Sequence, residues 1–131
     1  CKTIPEIFSE DGEDVFREKE KECLEFLMDQ DDMVISTGGG MPCFNGCMDL
    51  MLELGETVYL EASVQTLISR LWDGKSGRPI VNNFQTKEDL QSFISKHLSE
   101  REAYYEKCKH IVRVDAKSVE TIAKEIKSVL S

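Results

Sequence analysis

Val34-Ile35-Ser36-Thr37-Gly38-Gly39-Gly40-Met41-Pro42 is the stretch on which the reading of the fold turns. Its first half, residues 33–37, has the short apolar, β-branched character of a buried parallel strand. Three glycines end the run, because each removes a side chain that could pack and adds backbone freedom. At the carboxyl edge of an open α/β sheet, bare backbone lets a ligand approach closely. A simple Gly-rich turn is the plainer reading of three glycines alone, so the neighbouring segments decide.

Upstream, Ile4-Pro5-Glu6-Ile7-Phe8 reads as a short turn or helix start, with Pro5 suited to a first helical position. The acids at 10–14 mark the N-terminus of a long helix over residues 13–28, with Val15, Phe16, Cys23, Phe26 and Leu27 facing inward. Arg17 and Glu20 are three residues apart and can pair along one face of that helix. Downstream, a helix over 45–54 is closed by Gly55, and residues 57–61 read as a second strand. Ser63 caps a helix to about residue 72, Thr86 caps one to about residue 107, and Ser118 caps the last. Residues 110–115 form a third strand, and the last helix carries Val119, Ile122, Ala123, Ile126 and Val129 on its apolar side.

This alternation predicts an α/β fold, a three-layer arrangement of parallel strands with helices on both faces. Residues 73–85 break all periodicity, and a basic, glycine-containing loop of that length is more often functional than idle. With 131 residues, 40% hydrophobic and 31% charged, the chain has the makings of one ordinary globular domain over residues 1–131. Its 25 acids against 16 bases give a net charge of −9, which argues against nucleic acid or an anionic membrane as partner. No apolar run is long enough to span a bilayer and no leader is expected, so the expected location is the cytoplasm. The five cysteines are an odd set and read as free thiols. Cys43 and Cys47 lack the second half of a zinc site, so no metal is expected on these residues. The chain opens on Cys1 followed by text that reads as mid-chain, so an earlier start is expected.

Gly74-Lys75-Ser76 mimics the end of a phosphate-binding P-loop, but position 69 is Ser where that motif needs Gly, and a helix rather than a strand precedes it. The arginines carry more information. Arg17, Arg70, Arg78 and Arg101 flank the glycine-edged segment, and guanidinium groups hold carboxylate and phosphate in fixed bidentate geometry.

Phe16-Arg17-x-x-Glu20, Thr37-Gly38-Gly39-Gly40, Arg78-Pro79-Ile80 and Arg101-x-x-x-Tyr105 follow in an order and spacing that resembles shikimate kinase. The resemblance spans essentially the whole chain. It implies a P-loop fold of the nucleoside-monophosphate-kinase kind that transfers the γ-phosphoryl of ATP to the 3-hydroxyl of shikimate. It further implies that Arg17 and Arg101 clamp the shikimate carboxylate, with Glu20 holding Arg17. Gly38, Gly39 and Gly40 would bring backbone to the ring, and Phe8 and Phe16 would wall the pocket. Arg78 would be the catalytic arginine, reaching from a lid at 73–85 to the transferring phosphate and the nucleotide. Arg70 would stack on adenine, at a spacing from Arg78 one residue long, while Asp115 and Lys117 would border it.

By the same resemblance the first strand, the P-loop lysine and the magnesium-binding hydroxyl are not in this sequence. ATP and Mg2+ are therefore expected, with the metal ligands in an N-terminal segment outside it. The complete enzyme is expected to be a monomer. A gluconate-type kinase of another small hydroxy acid, and a non-catalytic ligand-binding remnant of the fold, remain alternatives.

Overall fold

The computed structural model describes residues 2–73 and 83–131, which form two compact units, Cys1–Gly55 and Glu56–Ser131. In the first unit a short helix α1 (Ile4–Glu6) is closed by a capping box. The Thr3 side chain accepts from the Glu6 amide, and Glu6 accepts in turn from the Thr3 amide at 2.6 Å. The chain tightens into a π-turn over Ile7–Asp11, then reverses at Gly12, whose φ of 89° favours glycine. Helix α2 (Glu13–Leu27) follows, within a residue of its expected end.

The face that α2 buries differs from the expected one. Arg17 and Leu24, two turns apart, are its buried residues, whereas Phe26 is 76% exposed and Val15 and Cys23 are also exposed. An arginine stem can occupy an inward position if its head finds partners, and that shifts the buried stripe away from the purely apolar residues. After α2 a 3-10 turn (Met41–Cys43) leads to helix α3 (Cys47–Leu54), which packs on α2 through the buried Cys47 and Met48.

Residues 33–37 correct the sequence reading. They run without regular secondary structure, and Val34 is fully exposed. A strand exists only through its ladder. Among the described residues the two strands present pair with each other, and residues 33–37 have no partner. The apolar character of this stretch is real, yet apolarity alone cannot make it a strand.

In the second unit β1 (Val58–Glu61) pairs in parallel with β2 (His110–Arg113), with Val58 opposite His110 and Glu61 opposite Arg113. Helices α4 (Val64–Asp73) and α5 (Lys87–Tyr105) stand in the connection between them. A parallel pair needs such a crossover, so this half of the α/β expectation holds. Its core is Leu90 and Ile94 of α5, against Val64, Leu67, Ile68, Leu71 and Trp72 of α4 and Phe84. The caps are where local chemistry puts them. Ser63 Oγ accepts from the Thr66 amide at 3.2 Å and Thr86 Oγ1 from the Asp89 amide at 3.1 Å. Ser118 Oγ accepts from the Thr121 amide at 3.2 Å and opens α6 (Val119–Val129), which packs on β2.

Candidate functional site

A partly buried polar constellation in the first unit is built on α2. Glu13, Arg17 and Glu20 occupy one face of that helix at spacings of four and three residues, so their side chains meet. Arg17 Nη1 donates to Glu20 Oε2 at 2.6 Å. On the opposite side Nη2 donates to Glu13 Oε1 at 2.9 Å, and Nε reaches the same oxygen at 3.3 Å. Two rings complete the surroundings. The Arg17 Cζ lies 4.3 Å from the centre of the Phe44 ring and 5.3 Å from that of Phe16. Phe8 stacks obliquely on Phe16 with centroids 4.5 Å apart, extending the aromatic wall to the π-turn.

Arg17 is only 9% exposed, and burial by itself lowers the pKa of a cation. Its pKa is nonetheless raised, because the hydrogen bonds it donates to Glu20 and then to Glu13 outweigh that burial. The group is a fixed positive charge.

The glycine run is part of the same site, for a reason other than backbone freedom. Gly40 has ordinary right-handed angles, φ −81° and ψ −31°. What it supplies is space, since a Cβ there would stand 2.6 Å from Arg17 Nη2 and 2.7 Å from Cζ. A Cβ on Gly38 would stand 3.5 Å from Glu20 Oε1, an ordinary contact. Arg17, Glu20, Phe8, Phe16, Gly38 and Gly40 are thus brought together. Two members of the cluster were missed. Glu13 lies four residues before Arg17, a spacing that carried the signal; Phe44 is remote in sequence and gave none.

In the second unit the carboxyl ends of β1 and β2 frame a cavity of about 400 Å³ lined by Glu61, Ser63, Arg113 and Asp115, with Ser99 and Glu102 from α5. Asp115 Oδ1 accepts from the Ser63 amide at 3.0 Å, which ties the β2 end to the start of α4. Its carboxyl is held below the ordinary value by a hydrogen bond from Thr66, then by the Ser63 amide, with the Arg70 charge contributing less. Arg70 is on the last turn of α4. Ala116 takes a left-handed φ of 54° to turn the chain toward α6, and Lys117 Nζ pairs with Glu125 at 2.7 Å. Arg113, which donates to Glu61 at 2.6 Å, was not anticipated. Arg101 is half-buried on α5. Arg78 and most of the 73–85 loop lie outside the described residues.

Comparison with known proteins now adds to this geometry. The family model described as shikimate kinase matches residues 1–131. The shikimate kinase of Flavobacterium johnsoniae is 38% identical over 131 residues, covering 98% of this chain and 76% of that relative.

The chain belongs to the shikimate kinase family.

The shikimate kinase of Phocaeicola vulgatus is 40% identical over 114 residues, covering 87% of this chain and 65% of the relative. A 1.7 Å crystal structure of shikimate kinase from Bacteroides thetaiotaomicron superposes with a TM-score of 0.85 at 34% identity, over 98% of this chain and 73% of that one. The fold is accordingly the α/β fold of this kinase family. The chain spans about two thirds to three quarters of the length of these relatives. Among the described residues no helix is long and apolar enough to cross a membrane.

Proposed function

We propose that this chain carries the acceptor side of an ATP-dependent shikimate kinase, which transfers the γ-phosphoryl of ATP to the 3-hydroxyl of shikimate. The observation that carries this reading is the Arg17 cradle, a buried cation fixed by Glu20 at 2.6 Å and backed by bare backbone at Gly40. Phosphoryl transfer asks a protein mainly for positioning and charge stabilisation. A cation that cannot swing away fixes the acceptor by its carboxylate and so sets where its hydroxyls lie. In this reading Arg101 is the second arm of the clamp, and Phe8 and Phe16 wall the ring.

The family works with ATP and Mg2+, which neutralises charge on the phosphates when bound. Among the described residues no cluster of three His, Cys, Asp or Glu side chains is placed to hold a metal ion, and the metal is assigned to the N-terminal segment that the family resemblance implies. Arg70, Asp115 and Lys117 are assigned to the adenine side. For Asp115, which lines the cavity at the carboxyl ends of β1 and β2, the support is that α/β sheets bind ligands at this edge. Lined by three carboxylates and one arginine, the cavity suits a neutral hydrogen-bonding base better than a phosphate. Residues 1–131 act as one domain with residues 73–85 as its lid, in a cytoplasmic, monomeric enzyme.

The test is calorimetric titration of shikimate and of gluconate, joined to an assay of shikimate-dependent ADP formation with ATP and Mg2+. Shikimate binding that Arg17→Ala weakens about thirtyfold or more is expected, since removing one partner of a buried charge pair costs about 2 kcal/mol or more. ATP binding should stay nearly intact. Preference for gluconate, or shikimate binding indifferent to Arg17→Ala, would overturn the assignment.

A further inference from the structure

The Nε/Nη2 edge of the Arg17 guanidinium is already taken, and its Nη1/Nη2 end is crowded. Glu13 Oε1 takes the Nε/Nη2 edge at 3.3 and 2.9 Å, and Glu20 takes Nη1 at 2.6 Å. At the Nη1/Nη2 end stands the loop backbone. The position a Gly40 Cβ would fill is 2.6 Å from Nη2, nearer still to Nη1, and 2.7 Å from Cζ, so it lies beyond the two nitrogens. The rings of Phe44 and Phe16 are within 4.3 and 5.3 Å of Cζ. A carboxylate binds arginine best through two parallel N–H bonds. The seat where an incoming carboxylate could make both is the one Glu13 holds.

The two resident glutamates are not equivalent. The Glu20 side chain is 13% exposed, that of Glu13 54%. Breaking a buried pair leaves a stranded charge, whereas an exposed pair four residues apart on a helix is weak. Glu13 is also the first residue of α2, and Gly12 before it provides no side-chain cap. A carboxylate released from Arg17 therefore stays in the first helical turn, where the unsatisfied amides favour negative charge. Both features make Glu13 the glutamate that yields.

We propose that Glu13 is a resident carboxylate, seated on Arg17 in place of the acceptor's own and displaced by it. It is a specificity-determining residue. It keeps the Arg17 charge compensated before the acceptor arrives, and it admits only ligands whose carboxylate competes for the Nε/Nη2 edge. The inference rests on the reading of Arg17 as the acceptor's carboxylate partner.

Shikimate and its neutral methyl ester, titrated calorimetrically into the chain and into its Glu13→Gln, Glu13→Ala and Arg17→Ala variants, provide the test. Both Glu13 variants should bind shikimate about two- to fivefold tighter, the range set by exposed ion pairs, with ester binding unchanged. If both variants bind shikimate equally well or more weakly while Arg17→Ala abolishes binding, Glu13 merely orients Arg17. The inference then fails and the acceptor reading stands. Shikimate binding unaffected by Arg17→Ala, or absent from all four chains, overturns the acceptor reading itself. Circular dichroism verifies the fold, and should Glu13→Ala unfold the chain, the isosteric Glu13→Gln decides.

Discussion

Gly40 and Arg17 share a space that admits only one side chain: a Cβ on Gly40 would stand 2.6 Å from Arg17 Nη2 and 2.7 Å from Cζ. Carbon atoms do not approach a guanidinium so closely, and Arg17 is held from both sides by Glu13 and Glu20. Gly40→Ala must therefore push Arg17 out of its cradle or shift the loop, at a cost of about 1–3 kcal/mol for overpacking. Gly38→Ala meets Glu20 Oε1 at 3.5 Å and should be tolerated. Thermal unfolding and shikimate titration of the two variants make the comparison. Gly40→Ala should be the less stable and the weaker binder; equal behaviour would mean that Arg17 does not rest on that backbone.

Arg78 has a separate role in the proposed reaction. Arginine aimed at a transferring phosphoryl group acts on charge that grows in the transition state, and losing it costs about a thousandfold or more in turnover. Arg78→Ala should therefore lower turnover far more than it weakens shikimate binding. Steady-state kinetics beside calorimetry separates the two, and an unchanged turnover number would remove Arg78 from the chemistry.

How far the site could be read from the sequence depended on the range of each interaction. Ser63, Thr86 and Ser118 were legible as caps because a cap is settled within three residues. The Arg17–Glu20 pair was legible for the same reason. Residues 33–37 were not, since strand status depends on a partner elsewhere in space, and Val34 is fully exposed without one. Phe44 sits against Arg17 through a loop path that no periodicity reveals. The inward face of α2 was misjudged because hydrophobicity ranks Phe26 above Arg17, while two carboxylates and a glycine make the arginine the better-buried residue.

Acid should loosen the junction between β2 and α4 through Asp115. Its folded-state pKa lies below the ordinary 3.8, chiefly through Thr66 and the Ser63 amide. A lowered carboxylate pKa means the ionised form is favoured by folding. The stabilisation is fully present above 3.8 and is lost as pH falls from there through the folded value. Asp115→Asn should thus unfold at a lower temperature than the parent near neutrality, and the gap should close below pH 3.8. A gap independent of pH would show that the Asp115 charge contributes nothing to the Ser63 junction.

The cysteines offer a test of how α3 packs on α2. Cys47 is 1% exposed, and its thiol is pushed up first by burial and then by the nearby charge of Glu20, so little of it is thiolate. Cys23 is exposed on α2. Alkylation needs both access and thiolate, so Cys47 can react only when the helices part. Treatment of the native chain with iodoacetamide near pH 8, followed by peptide mass mapping, should modify Cys23 at least about tenfold faster than Cys47. Denaturant should erase the difference. Comparable native rates would mean that α3 does not close over Cys47, and the Gly40 loop that leads into α3 would lose its anchor beside Arg17.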